Sequence, residues 1–251
     1  MPEPRIYYQH AGITLWHGDA REVLPQLAPG SFDTLLTDPP FGLGDKWNGG
    51  TWFTKGVYAK DKVTWDSAAP EAIVQTLISL NIPSIIWGGN YFAVPPSRCW
   101  LAWVKLNAPP TMAAMELAWT NLDQNSKTYS SGHGGTQLAQ RVHPTEKSLD
   151  LFTWCAQFLP HGTILDPFCG VGTSLRVAKN LGRRAVGIEI DEAYCELAAE
   201  RMSQGVLELS VPAEQTQEQG RIVWPDAYHE CRGDADALAD ALAAKEAADL
   251  A

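Results

Sequence analysis

The chain has 251 residues, 45% of them hydrophobic and 19% charged, with a formal net charge of -10. That length fits one large or two small domains with a sizeable buried core, and the composition is that of a globular protein, not a disordered or fibrous one. No apolar run is long enough to span a membrane, the first residues lack the apolar core of a signal peptide, and five cysteines scattered singly give neither a disulfide framework nor a Cys/His metal site.

The charge says little about partners, because residues 208–249 carry ten acidic side chains against Arg221, Arg232 and Lys245, leaving the body only mildly acidic. In chain order, residues 13–17 read as a strand, and Gly18-Asp19 turns into a helical run over 20–27. Asp19 is thus a carboxylate at a strand end, a place that an ordinary helix N-cap also fills. Residues 33–37 form a short apolar run of the kind expected of a buried parallel strand. It is stopped by Asp38-Pro39-Pro40-Phe41, since neither proline can donate a ladder hydrogen bond. Asp38 would face the crevice where open α/β sheets bind ligands, with Phe41 beside it. A carboxylate, backbone carbonyls and an aromatic face are the parts needed to grip an amino group on a flat ring.

Residues 42–69 read as a long glycine-rich loop in which Trp47, Trp52, Phe53, Tyr58 and Trp65 alternate with Lys46, Lys55, Lys60 and Lys62. That pattern suits stacking on bases beside phosphates, and equally a locally packed loop. A helix over 70–80 and a strand over 84–87 follow, the latter ending in Gly88-Gly89-Asn90, with Asn90 placed to line the same crevice. Further strands are expected at 99–105 and 116–120, then a second polar, glycine-rich loop over 121–142. A helix over 149–158 takes its cap from Thr145 or Ser148.

The next stretch runs strand 163–166, turn Asp166-Pro167-Phe168-Cys169-Gly170-Val171-Gly172-Thr173, helix 175–181 with Gly182 after it, and strand 185–189 ending on Glu189. This is a βαβ unit with glycines at its first turn and a carboxylate some twenty residues on, the layout of a nucleoside-binding half of a doubly wound sheet. It lacks the third glycine of a dinucleotide site and the lysine of a phosphate loop. Asp166 disfavours a pyrophosphate and suits an ammonium group. An adenosine carrying an amino acid fits, and S-adenosylmethionine is such a molecule.

Four motifs in this order, Asp38-Pro39-Pro40-Phe41, His143-Pro144-Thr145-Glu146-Lys147, Asp166 to Thr173 and Gly187-Ile188-Glu189-Ile190-Asp191, resemble the amino-methylating DNA methyltransferases of the permuted β group. The compact form is similar to phage-type orphan enzymes without a partner nuclease. The resemblance implies an α/β fold with a doubly wound, mostly parallel seven-stranded sheet over residues 1–202, and an acidic extension over 203–251. It implies transfer of a methyl group from S-adenosylmethionine to the exocyclic amine of a base flipped from duplex DNA, adenine N6 being favoured by the aspartate form of the motif. Cytosine N4, an RNA or protein amine, and an inactive DNA-binding module stay open as alternatives.

By the same resemblance Asp38, Pro39, Pro40 and Phe41 match the catalytic motif. Asp19, Asp38, Thr145, Lys147, Asp166, Phe168, Gly170, Gly172, Thr173 and Glu189 match the cofactor pocket, with Thr145 and Lys147 at its methionine end. Loops 42–69 and 121–142 become the candidate DNA-recognition elements. No metal is called for, and a cytoplasmic monomer or homodimer, in a bacterial or phage-infected cell, is expected. Three features depart from the family pattern: Phe41 stands where Tyr is usual, Ser148 where Pro is usual, and the segment between the catalytic and lysine motifs is short for a dedicated recognition domain.

Overall fold

The computed structural model describes residues 3–28, 30–42, 70–108, 113–132 and 147–205. Most of the first candidate loop, part of the second, Thr145 and the acidic extension lie outside the described residues. By its internal contacts the chain divides into Met1–Val206 and Leu207–Ala251, and everything below concerns the first unit.

Among the described residues nine strands form one sheet: β1 (Arg5–His10), β2 (Ile13–His17), β3 (Thr34–Thr37), β4 (Ser84–Trp87), β5 (Trp100–Lys105), β6 (Met115–Thr120), β7 (Lys127–Ser131), β8 (Ile164–Asp166) and β9 (Ala185–Glu189). Their spatial order is β1-β2-β9-β8-β3-β4-β6-β5-β7. The central run β2-β9-β8-β3-β4 is parallel throughout, while β6 lies antiparallel to both β4 and β5.

The expected count of seven strands is therefore corrected to nine, by one additional strand at each edge. At one edge β1 folds back on β2 through Ala11-Gly12, both at positive φ (49° and 79°), the backbone of a tight hairpin turn. At the other edge β7 pairs parallel to β5, so the polar stretch expected as loop over 121–142 contains a strand.

Among the described residues five α-helices accompany the sheet: α1 (Ala20–Val23), α2 (Glu71–Ser79), α3 (Leu149–Ala156), α4 (Thr173–Asn180) and α5 (Glu192–Ser203). The first is shorter than expected, because Pro25 turns the chain into a 3-10 turn over Leu24–Gln26. Ser148 caps α3 by accepting from the Leu151 N–H, which settles the choice between the two candidate caps.

Successive residues of the central strands enter different apolar clusters, as a pleated backbone dictates. Leu36, Ile85, Trp87 and Ile164 pack with Leu151, Cys155, Leu175, Ala198 and Met202 of α3, α4 and α5. Leu35, Ile86, Leu165 and Val186 pack with Val74 and Leu77 of α2. Each such buried aliphatic side chain contributes about 1.5–3 kcal/mol, so the strands are fixed in register from both faces. At the end of the sheet away from the carboxylates, buried Arg183 donates to the carbonyls of Ala156, Pro160 and Gly162 and to Thr34 Oγ1. It ties the exit of α3 to the entry of β3 and β8. Among the described residues no helix is long and apolar enough to cross a membrane.

Candidate active site

All five parallel strands end on one side of the sheet, and four of them end on or beside a carboxylate. Going across, Asp19 follows β2, Glu189 closes β9, Asp166 closes β8 and Asp38 follows β3, while Gly88 follows β4. The chain leaves β8 through α4 to β9 on one side and leaves β3 through α2 to β4 on the other. The order therefore reverses between β8 and β3, which is where open α/β sheets form a binding crevice.

Asp38 and Asp166 flank that point. The Thr37 hydroxyl, one residue before Asp38, donates to Asp166 Oδ1 at 2.7 Å, and the Ser174 hydroxyl of α4 donates to Oδ2. The Phe168 N–H adds a third bond at 3.1 Å. Burial pushes the Asp166 carboxyl up to about 6 against these three donors. Both oxygens are engaged, so Asp166 locks β3, β8 and α4 together at the mouth of the crevice.

Beyond it, Gly170 and Gly172 differ in what their missing side chains allow. A Cβ on Gly170 (φ +52°) would meet open space, whereas one on Gly172 (φ +80°) would meet Ala198 of α5 at 3.0 Å. Gly170 is thus the residue whose backbone is open to a ligand, and Gly172 serves the close packing of α5. Glu189 accepts from the Gly170 N–H at 2.9 Å and from the Asp191 N–H at 2.8 Å. Burial still pushes its carboxyl up to about 7. Asp19 is the N-cap of α1, accepting from the Arg21 N–H at 2.8 Å and from its guanidinium, whose hydrogen bonding holds the Asp19 carboxyl below the usual range. Its backbone adjoins Glu189 through the Gly18 N–H to Glu189 carbonyl bond of 2.9 Å.

The Asp38 side is built differently. Lys147 Nζ donates to Asp38 Oδ2 at 2.8 Å and lies 2.9 Å from Glu116 Oε2, and Lys105 pairs with the other Glu116 oxygen. Burial raises the Asp38 carboxyl, with Lys147 opposing. Burial would also raise Glu116, but Lys147 and Lys105 prevail and hold it down at about 2. Asp38 Oδ1 is buried without a hydrogen-bond partner among the described residues. Phe41 stacks on Tyr91, ring centroids 4.9 Å apart and planes 18° from parallel, and the Lys147 ammonium lies 5.5 Å from the Phe41 centroid. Lys147, expected at the methionine end of a cofactor, thus reaches the Asp38 carboxylate.

Gly88 makes the Phe41 position possible. It sits at φ +70°, and a Cβ there would come within 2.1 Å of the Phe41 ring. Gly88→Ala is expected to push Phe41 off Tyr91 and lower turnover about ten-fold, with cofactor affinity unchanged. Steady-state kinetics beside a cofactor-binding titration checks this, and unchanged turnover would show that the ring's place is immaterial.

The DNA methylase family model, N6/N4 type, matches residues 52–200, more than half of the chain. The chain belongs to this family. As a DNA methylase it is an amino-methylating DNA methyltransferase that takes its methyl group from S-adenosylmethionine. The Type II methyltransferase M2.LlaDCHI of Lactococcus lactis subsp. cremoris is 25% identical over 251 residues, covering 79% of this methylase and 92% of that protein. M2.DpnII of Streptococcus pneumoniae is 27% identical over 248 residues, covering 78% and 91%. Among solved structures, the PvuII DNA methyltransferase, described as cytosine-N4-specific, aligns with a TM-score of 0.54 at 14% identity over 80% of this chain and 90% of its own. The M1.HpyAVI–SAM complex aligns with a TM-score of 0.51 at 23% identity over 76% and 100%. Both likenesses speak for the fold.

The methylase's candidate site also contains three residues that sequence reasoning passed over, Lys105, Glu116 and Tyr91. The two charged ones stand at the ends of otherwise apolar strands, a signal available in the sequence. Asn90, expected to line the crevice, is exposed, as is its neighbour Tyr91, which stacks on Phe41.

Proposed function

We propose that this DNA methylase transfers a methyl group to adenine N6 of a base flipped out of duplex DNA, with Asp38 as the residue that engages the target amine. The observation carrying this reading is the Asp38 carboxylate at the switch point, one oxygen on Lys147 and the other buried without a hydrogen-bond partner among the described residues. The aspartate form of the motif favours adenine over cytosine.

The residues fit S-adenosylmethionine. Gly170 leaves room for close backbone approach, and Glu189 at the end of β9 retains lone pairs for the two ribose hydroxyls. The adenine end would lie towards Gly18-Asp19 at the neighbouring strand, and the methionine end towards Asp38, Lys147, Asp166, Phe168 and Thr173. Bound there, the cofactor supplies an electrophilic methyl group on a sulfonium centre.

An aromatic amine is a poor nucleophile because its lone pair is delocalised into the ring. Accepting its N–H bonds at Asp38 Oδ1 and at the Pro39 carbonyl favours a pyramidal nitrogen and frees that lone pair for in-line attack. Pro39 and Pro40 keep those acceptors stiff, and Phe41 offers a stacking face to the flipped base. No covalent enzyme intermediate is required. Cys169, the cysteine next to Gly170, is buried with its thiol pushed well up by that burial, which disfavours a thiolate nucleophile.

Incubation with S-adenosylmethionine and unmethylated genomic DNA, followed by digestion to nucleosides and mass spectrometry, tests the proposal. N6-methyladenine is the expected product. N4-methylcytosine would keep the site chemistry and overturn the base assignment, and neither product would overturn both.

A further inference from the structure

Four charged side chains from four separate parts of the sequence, Asp38 among them, are linked end to end. Lys105 ends β5, Glu116 lies near the start of β6, Lys147 precedes α3, and Asp38 follows β3. The register brings the first two together: Trp103 stands opposite Glu116, and Lys105, two residues on, shares that face of the strand. The charges alternate along the line and sum to zero.

This arrangement is costly. The Lys105 and Lys147 side chains are only 7% and 5% exposed, and the Glu116 and Asp38 side chains 23% each. Burial between Trp87 and Trp103 opposes each of these charges, and at Glu116 the two lysines outweigh it. The geometry at the far end of the line bears on Asp38. An ammonium group has three donors and turns freely on its stem. With Asp38 as its sole partner it would settle between both carboxylate oxygens. Glu116 Oε2, 2.9 Å away, is a second anionic neighbour of Lys147 through charge and not through a hydrogen bond, and Lys147 bonds Asp38 Oδ2 while Oδ1 stays buried without a partner among the described residues.

We infer that Glu116 is a positioning residue for methyl transfer: it holds Lys147 on one Asp38 oxygen so that the other accepts from the target amine, and Lys105 holds Glu116 in turn. The inference rests on the reading of Asp38 given above and deepens it. Glu116 itself touches neither cofactor nor base. Its effect passes through Lys147, so its contribution should vanish when Lys147 is neutral.

The test uses the full chain with S-adenosylmethionine and genomic DNA, and compares Glu116→Gln, Lys147→Met, the double variant and Asp38→Ala. Glu116→Gln is expected to lower kcat about ten-fold while the cofactor dissociation constant stays near wild type, and the melting temperature falls because buried Lys105 loses its charged partner. Lys147→Met lowers kcat further, and the double variant is no slower than Lys147→Met alone. A kcat within two-fold of wild type for Glu116→Gln, or single effects that simply multiply in the double variant, overturns the inference. Turnover retained by Asp38→Ala would instead overturn the reading beneath it. Should Glu116→Gln not fold, Lys105→Met asks the same question from the other end of the line: kcat falls several-fold at unchanged cofactor affinity, and a kcat equal to wild type refutes the role.

Discussion

With Asp38→Ala, methyl transfer is expected to fall about 10³-fold or more while S-adenosylmethionine still binds. A group that stabilises developing charge or moves a proton in the transition state contributes on the order of 10²–10⁴ in rate. Asp38 lies across the switch point from Glu189 and Gly170, where most of the cofactor's affinity should arise. The alanine variant also leaves the buried Lys147 ammonium with Glu116 as its ion-pair partner, a loss of about 1–3 kcal/mol in stability. Asp38→Asn separates the two effects, because its amide oxygen still accepts from Lys147 but carries no charge: it should recover most of the stability and little of the rate. Burial raises the Asp38 carboxyl, and the ionised form is the active one, so kcat/KM should be lost as pH falls through a value above the ordinary carboxylate range. Single-turnover rates beside calorimetric cofactor titrations distinguish these outcomes, and equal loss of rate and cofactor binding would sink the assignment.

The elements legible in the sequence were those whose pattern is local. The βαβ unit around Asp166 is marked by a short buried strand that ends on that carboxylate, glycines that readily adopt φ of +52° and +80°, and a carboxylate closing the next strand. The strand before Asp38 is buried at all four positions and stopped by two prolines, so it too announces itself. The edge strands do not. β1 is exposed or half-exposed along its whole length, and β7 alternates half-buried with exposed positions, which gives little apolar periodicity to find. What holds them is pairing with β2 and β5, a tertiary fact. The site divides in the same way. Asp38, Phe41, Gly170 and Glu189 sit at strand ends and in turns that local sequence marks. The meeting of Lys147 with Asp38, 109 residues apart, and of both with Glu116 depends on β6 running antiparallel to β4, which delivers the start of β6 to the carboxyl ends of the parallel strands.

Glu189→Ala should weaken S-adenosylmethionine binding about 10²-fold or more, the loss expected when two hydrogen bonds to a charged acceptor, each about 1.5–3 kcal/mol, disappear. The pH behaviour of the wild-type protein supplies a sharper signature. Without ligand, burial pushes the Glu189 carboxyl up to about 7 although the Gly170 and Asp191 N–H groups donate to it. A carboxyl raised in the folded state favours stability below its unfolded value near 4.5, and that contribution is lost as pH rises through about 7. Asp166, raised to about 6, acts in the same sense, so the ligand-free protein should melt higher at pH 5.5 than at pH 8. Two ribose hydroxyls donating to Glu189 would stabilise its ionised form and draw its proton off. Cofactor binding at pH 7 should therefore release a fraction of a proton, visible as a dependence of the calorimetric heat on the ionisation enthalpy of the buffer. Glu189→Gln keeps the shape of the side chain and one acceptor, so it should bind more weakly than wild type yet better than Glu189→Ala, and release no proton from this position. Proton release that survives unchanged in Glu189→Gln would place the titrating group elsewhere and remove Glu189 from the ribose.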